Sequence, residues 1–300
     1  MKNRDVIIPL SVALISSFIY GVWNILSYSL VRLSPGNILL SLFIMMGFAA
    51  FLSFLYLLAA SKKHGTPETI AFMKYPALGG VLFGLGNIVF FYMIRVDILP
   101  IVAAIVYSNL IIFSFLLSKS KGSRISFLYI LGTITAVFGL GIMELLDTDK
   151  IVVEPVLIEQ SFLLVILYGL GSYFIYRSSL NKDKTENSIF LVFLIETAIV
   201  GAATITFGGF QGIMDISETY LIEAMITGAV LVLAVILEFK SFYIISNYKT
   251  KFINIINIFL NFETIWVLFF SVIFLRVSSI PVVVGVVITS FGIWIVSTSK

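Results

Sequence analysis

The sequence is a succession of long apolar segments separated by short polar breaks. About 20 consecutive apolar residues are enough for a helix to cross the hydrocarbon core of a bilayer. The pattern predicts an all-α integral membrane protein with ten transmembrane helices. The predicted spans are 7–31, 37–60, 75–95, 98–118, 125–146, 157–179, 188–208, 220–246, 252–275 and 279–298. Turn-forming residues such as Ser34-Pro35-Gly36 mark the breaks. Only Arg95 and Asp97 separate the third span from the fourth, and without that break the count would be nine.

The amino-acid composition is that of a chain embedded in a lipid bilayer. Hydrophobic residues make up 60% of the 300 residues, charged residues 12%, and the mean hydropathy is +1.10. Soluble proteins carry about 25% charged residues, so this chain could not cover a water-exposed surface. The first apolar run, from Val6 to Val31, is longer than the ~7–15 residues of a secretory signal core. We therefore expect it to be retained as the first membrane helix.

Cysteine and histidine are too scarce to carry chemistry in the membrane. The chain has no cysteine, which excludes disulfides, thiolate metal sites and cysteine nucleophiles. Its single histidine, His64, falls in a polar loop. No phosphate-binding loop is present either. We expect no metal, no cofactor and no catalytic residue, and the chain is not predicted to be an enzyme.

The distribution of basic residues gives the predicted spans an orientation. With a cytoplasmic N-terminus, the inner segments hold fourteen lysines and arginines and the outer segments hold four. Basic residues favour cytoplasmic loops, so the count predicts cytoplasmic N- and C-termini and supports ten spans. The acidic outer linker from Glu144 to Glu159 is the predicted boundary between two halves, 1–148 and 149–300. The cell membrane is the expected location.

The two halves repeat each other in sequence. Similar segments recur at offsets of 148, 151 and 153 residues. The matches are Ile19–Val22 with Leu167–Leu170, Phe91–Ile94 with Phe242–Ile245, and Gly132 and Gly139 with Gly285 and Gly292. Each half has five spans, an odd number, so the second half must enter the membrane from the opposite side. Inverted repeats of this kind are typical of secondary transporters.

Short motifs add a family resemblance over essentially the whole chain. The aromatic-glycine pair Tyr20-Gly21, the turn Ser34-Pro35-Gly36 and the segment from Pro100 to Gly141 resemble the drug/metabolite transporter superfamily, in its EamA-domain branch. The segment Asn261 to Ile265 resembles the ninth-helix Leu-Glu-Pro-Val motif, with Thr264 in place of proline. The resemblance implies a central cavity lined by the first, third and fourth helices of each half. The lining candidates are then Tyr20, Asn24, Asn87, Tyr107, Ser108, Tyr168, Ser172, Glu238, Asn257, Asn261 and Glu263.

Four ionisable residues stand out as candidates for a position deep in the bilayer, all in the second half. They are Glu196, Glu238, Lys240 and Glu263. Charges at this depth are costly and usually mark function. The three glutamates are candidates for proton coupling or for binding a substrate ammonium group. The alternative is a hydrogen-bonded carboxyl that only fixes packing. The long stem of Lys240 would let its ammonium group reach the cytoplasmic interface.

In the ninth span, helical geometry places the asparagines and Glu263 on opposite faces. Asn254, Asn257 and Asn261 recur at spacings of three and four residues, which places them on one face. Glu263 is nine residues from Asn254 and so points about half a turn away. Only the asparagine stripe or Glu263 can face a central cavity squarely. The polar residues of the other spans could instead bond neighbouring helices, at about 0.6 kcal/mol each.

These features predict a secondary-active transporter. We expect it to export a small polar or amphipathic metabolite, such as an amino acid or a relative, by alternating access, with a proton as candidate coupling ion. A sugar or nucleotide-sugar carrier is the alternative within transport, and a non-transporting membrane protein is the alternative outside it. Expected partners are the small-molecule substrate and membrane lipid, with no nucleic acid. Both a monomer and a homodimer fit the sequence.

Overall fold

A computed structural model of the chain contains helices and turns in its described part and no strand there. The described residues are 4–33, 38–64, 74–96, 99–120, 122, 125–146, 155–180, 185–210, 216–246, 256, 259–260, 262–276 and 279–299. The helices are α1 (Arg4–Leu33), α2 (Ile38–His64), α3 (Lys74–Val96), α4 (Leu99–Tyr107), α5 (Asn109–Ser120), α6 (Phe127–Leu146), α7 (Pro155–Leu180), α8 (Thr185–Thr206), α9 (Glu218–Ser246), α10 (Glu263–Phe270) and α11 (Ile280–Thr298).

Several of these helices are long and apolar enough to cross a membrane. Among the described residues there are eight such spans, counting α4 and α5 together, and two shorter apolar segments, Phe127–Met143 and Glu263–Leu275. The length and composition of these helices confirm the prediction of a helical, multi-pass membrane protein. The third and fourth predicted spans correspond to α3, described to Val96, and to α4 and α5, described from Leu99. The break predicted around Arg95 and Asp97 stays a prediction, because Arg95 lies within α3 and Asp97 lies outside the described residues.

The outer surface is apolar and the interior holds much of the polar chemistry. Phe127 and Ile280 are each 76% exposed and Ile205 is 71% exposed, all on outward helix faces. In water such a surface would aggregate, whereas lipid tails solvate it. Large side chains such as Phe90 and Met45 fill the interior instead. The arrangement agrees with lipid as the solvent.

Two predicted spans are interrupted helices. The fourth breaks at Ser108, whose hydroxyl donates to the carbonyl of Ala104 at 3.1 Å. In the ninth, a turn at Phe262 precedes α10, so Glu263 is the first residue of this helix. Then α10 continues into a π-helical turn, Ser271–Leu275, which ends where Arg276 adopts a left-handed conformation with φ of 56°. Hydrophobicity predicted one continuous span in each case because it does not register such local breaks.

The helices pack in pairs. The main contacts are α6 with α11, α1 with α9, α3 with α7, α2 with α8, α3 with α8 and α2 with α9, followed by α5 with α7 and α1 with α10. Buried hydroxyls bond backbone carbonyls across some of these pairs. Ser16 donates to the carbonyl of Ala234 at 2.8 Å, and Thr197 donates to that of Met46 at 2.9 Å. Such bonds satisfy polar groups that lipid cannot.

Glycines allow α6 and α11 to touch backbone to backbone. A Cβ built on Gly132 would lie 2.7 Å from the carbonyl oxygen of Gly292. One built on Gly139 would lie 2.8 Å from the carbonyl oxygen of Gly285. Neither position has room for a side chain, so these glycines set the distance between the two helices.

Replacing Gly139 by alanine is expected to destabilise the protein, since the new methyl group meets backbone atoms that cannot turn away. Overpacking of this kind costs about 1–3 kcal/mol. The measurement is thermal unfolding of purified protein in detergent. Gly141→Ala is the matched control, because nothing lies within 4 Å of a Cβ at this position of the same helix. Equal melting temperatures for the two variants would contradict the packing role of Gly139.

Candidate functional site

Two adjoining cavities lie inside the helix bundle. The larger has about 670 Å³ of space free of protein atoms and the smaller about 450 Å³, in each case including space open to the surroundings. Five residues line both and so form the boundary between them: Tyr20, Trp23, Phe83, Tyr168 and Glu238. The other polar residues of the larger cavity are Asn24, Asn109, Ser172 and Glu263, and those of the smaller are Asn87 and Glu196. The described residues lining either cavity include three glutamates and no lysine, arginine or histidine.

Glu238 is held on the boundary by α1. The hydroxyl of Tyr20 donates to Glu238 Oε2 at 2.5 Å, joining α1 to α9. Tyr20 lies near the middle of α1, and Glu238 lies eight residues before the end of α9. This one bond places a carboxyl group where it can act in both cavities.

Glu263 is held one helical turn away by the same helix. Asn24 Nδ2 donates to Glu263 Oε1 at 2.5 Å and to the carbonyl of Tyr20 at 2.9 Å. Residues four apart on a helix share a face, so Tyr20 and Asn24 present their groups to the same space. Gly21 lets α10 approach, since a Cβ there would lie 2.6 Å from Cβ of Trp266. Thus α1 positions two carboxyl groups at the larger cavity.

Glu196 ends a separate chain of hydrogen bonds. The hydroxyl of Tyr168 donates to Asn87 Oδ1 at 2.5 Å, and Asn87 Nδ2 donates to Glu196 Oε2 at 3.2 Å. The chain joins α7, α3 and α8. Glycines make it possible: a Cβ on Gly84 would lie 3.2 Å from Cα of Glu196, and one on Gly86 would lie 2.8 Å from the Tyr168 ring.

Aromatic rings provide most of the remaining wall. Trp23 stacks on Phe90 with ring centroids 5.4 Å apart and an interplanar angle of 19°. Phe83 meets Tyr168 edge-on at 5.5 Å. Trp23 is 4% exposed, and its buried Nε1 has no hydrogen-bond partner within the described chain. It is therefore a donor left available at the boundary of the cavities.

Most of the lining candidates from the sequence lie at these cavities. Those that do are Tyr20, Asn24, Asn87, Tyr168, Ser172, Glu238 and Glu263. Tyr107 and Ser108 do not line either cavity. Tyr107 packs with Leu110 and Phe113 in a second apolar cluster, and Ser108 bonds its own helix. The neighbouring Asn109, the first residue of α5, lines the larger cavity instead.

The candidates of the ninth span divide between described and undescribed residues. Asn257 and Asn261, with Asn254, lie outside the described residues. Glu263, the alternative cavity-facing group, lines the larger cavity.

Lys240 lies on the exposed surface, with Nζ 5.9 Å from the ring centroid of Tyr56. It takes no part in the cavities.

Sequence reasoning missed Asn109 and the aromatic residues Phe83, Phe90, Phe113 and Phe242. The chain has 28 phenylalanines, so nothing in the pattern marks these four as cavity residues. Trp23 carried a usable signal, because it adjoins Asn24 in a polar stripe of α1.

The electrostatics of the site favour positive ligands. An uncompensated charge buried in a low-dielectric interior costs several kcal/mol. No cationic side chain of the described lining offsets the carboxyl groups. A cation, whether a proton or an ammonium group, can supply the missing positive charge.

Comparisons with known proteins bear on the fold alone. No protein-family model matches the sequence, and no curated protein is similar to it. One solved structure, described only as the crystal structure of a protein, aligns with a TM-score of 0.56 and 12% identity. The alignment covers 93% of this chain and 96% of the other. At this identity the likeness shows a shared fold and says nothing of function.

Proposed function

We propose that the chain is a secondary-active transporter of a small metabolite with an amine group and an apolar body. Its ten transmembrane helices form two inverted repeats of five, 1–148 and 149–300. One repeat rocks against the other and exposes the cavities to each side of the membrane in turn. Transport is coupled to protons and directed outward across the cell membrane, with both termini cytoplasmic. The loop charges and the resemblance to the drug/metabolite transporter superfamily support this direction and orientation.

One observation carries the proposal for the substrate. Glu238 and Glu263 are held by Tyr20 and Asn24 at a cavity whose described lining contains no cationic side chain. An ammonium group placed there would replace the missing counter-charge. The aromatic wall would cover the apolar part of the substrate and can interact with the cation through the ring faces.

Pairs of equivalent contacts support the inverted repeat. Tyr20 of α1 bonds Glu238 of α9, and Tyr168 of α7 bonds Asn87 of α3. The two tyrosines differ by 148 residues and their partners by 151, the offsets of the sequence repeat. The contact therefore occurs twice, with the halves exchanged.

The glycine contacts follow the same rule. A Cβ on Gly21 would lie 2.6 Å from Cβ of Trp266, and one on Gly169 would lie 2.6 Å from Cβ of Ile112. These two glycines are also 148 residues apart. The reciprocal contacts of α6 with α11 described above extend the pattern to the last helix of each half. An odd number of helices per half then requires opposite orientations.

Counterflow in proteoliposomes tests the function. Liposomes containing the purified protein are loaded with one unlabelled compound and placed in a trace of the same compound, labelled. We expect uptake above protein-free liposomes for amine-bearing compounds with an apolar body, and none for simple carboxylic acids. Uptake of sugars or nucleotide sugars in place of amines would favour the alternative carrier. Absence of exchange for every compound, with folded protein, would reject transport.

A further inference from the structure

Glu196 has no task in the substrate site described above. It lines only the smaller cavity and is 3% exposed. The boundary residues Tyr20, Phe83 and Tyr168 lie between it and the larger cavity. A substrate bound at Glu238 and Glu263 would not need Glu196. Burying an ionisable carboxyl group inside a membrane protein costs free energy, and such groups usually have a functional role or a partner that offsets this cost.

We propose that Glu196, Asn87 and Tyr168 form a second site, which binds a proton independently of the substrate. This inference rests on the proposed transport function and gives its coupled proton a binding site. The Glu196 carboxylate takes a proton from water on one side of the membrane. It returns the proton to water on the other side after the halves have moved. The proton binding site is thus separate from the ammonium site at Glu238 and Glu263.

The hydrogen bonds around Glu196 fit a proton better than a hydrated ion. Both polar atoms of the Asn87 side chain are engaged, Oδ1 with Tyr168 and Nδ2 with Glu196. The remaining polar groups of the smaller cavity are Tyr20 and Glu238, which bond each other, and the Trp23 indole N–H. A metal cation needs several oxygen ligands at once. A proton needs only the carboxyl oxygen.

The titratable groups near Glu196 are few. In the smaller cavity they are Tyr20 from α1, Tyr168 from α7 and Glu238 from α9. From α3 the neighbours are Asn87 and the glycines, which do not titrate. On the side of α2, Thr197 bonds the backbone of Met46, and the surroundings are apolar. No described cation is available here to neutralise Glu196, so a bound proton is the simplest way to remove its charge.

The position of Glu196 links protonation to movement of the halves. Its bond to Asn87 runs from α8 of the second half to α3 of the first. Gly80 and Gly84 hold the two helices close, with a Cβ on Gly80 only 2.9 Å from the carbonyl of Val192. Adding or removing a charge at this interface changes the energy of one arrangement of the halves relative to another.

The test compares Glu196→Gln with the wild type in proteoliposomes under an imposed pH gradient, at zero membrane potential. Glutamine still accepts a hydrogen bond from Asn87 but carries no proton. We expect counterflow, which needs no net proton movement, to stay at the wild-type rate. Each coupled proton multiplies the equilibrium accumulation about tenfold per pH unit, so losing one lowers accumulation about tenfold at a one-unit gradient. Glu186→Gln, at the start of the same helix, is the control.

Three results would overturn the inference. They are unchanged accumulation in Glu196→Gln, loss of counterflow along with accumulation, and dependence of the lost component on a sodium gradient.

A second measurement needs no substrate. In infrared difference spectra recorded on changing the pH, a carboxylic-acid band should be absent in Glu196→Gln and shifted in Tyr168→Phe. If the band persists unchanged in Glu196→Gln, Glu196 binds no proton. If the band behaves as expected while no compound exchanges, only the proposed transport function fails.

Should Glu196→Gln not fold, Tyr168→Phe decides the question alone. It keeps the ring that packs on Gly86 and removes only the hydroxyl that bonds Asn87. A shifted carboxylic-acid band supports the site, and an unshifted one contradicts it.

Discussion

Replacing Glu238 by glutamine is expected to raise the half-saturating concentration of an amine substrate on the order of 30-fold or more. Removing one member of a buried, hydrogen-bonded charge pair costs about 2–5 kcal/mol, and each 1.4 kcal/mol is tenfold in affinity. Glu238 is the carboxyl group that lines both cavities. Glutamine keeps an acceptor for the Tyr20 hydroxyl, which should preserve the fold. The measurement is concentration-dependent counterflow.

The control for this variant is Glu218→Gln. Glu218 is exposed at the first turn of the same helix, α9, far along the chain from the cavities. We expect its affinity for the substrate to match the wild type. If Glu238→Gln and Glu218→Gln bind the amine equally well, the carboxyl group at the boundary does not hold the substrate.

The general architecture could be predicted because lipid imposes strict rules. Long apolar runs must become helices, since no other open structure satisfies the backbone in hydrocarbon. Buried glutamates stand out in such a chain because so few residues are charged. For this reason Glu196, Glu238 and Glu263 were identifiable before their surroundings were known. The offsets between the halves likewise placed Tyr20 and Tyr168 in equivalent positions.

The local shape of the site could not be predicted in the same way. The helix is interrupted at Ser108, and Asn109 lines the larger cavity while Tyr107 does not. Hydropathy does not show which of several neighbouring polar residues lines a cavity. The pairing of Asn24 with Glu263 depends on how α1 and α10 approach at Gly21, which is a property of tertiary packing. Periodicity within one helix gives the face of a residue but not its partner.

Replacing Glu263 by glutamine is expected to weaken the pH dependence of substrate binding. An ammonium group needs the carboxylate form, so protons and substrate compete and wild-type affinity should fall as the pH is lowered. Glutamine cannot take up the proton, and Asn24 can still donate to its amide oxygen. The measurement is the half-saturating concentration for counterflow across a range of pH. A pH profile identical to that of the wild type would remove Glu263 as a competing proton site.

The double variant Glu238→Gln, Glu263→Gln asks whether the two carboxyl groups hold the same ammonium. Both are fixed to one face of α1, through Tyr20 and Asn24, four residues apart. Residues that share a ligand show coupling energies of about 0.5–3 kcal/mol, whereas independent sites add. We therefore expect the double variant to lose less affinity than the product of the two single losses. Strict additivity would place the substrate at one glutamate only. Because side chains of α1 donate hydrogen bonds to both groups, a shared ammonium would link movement of this helix to release of the substrate.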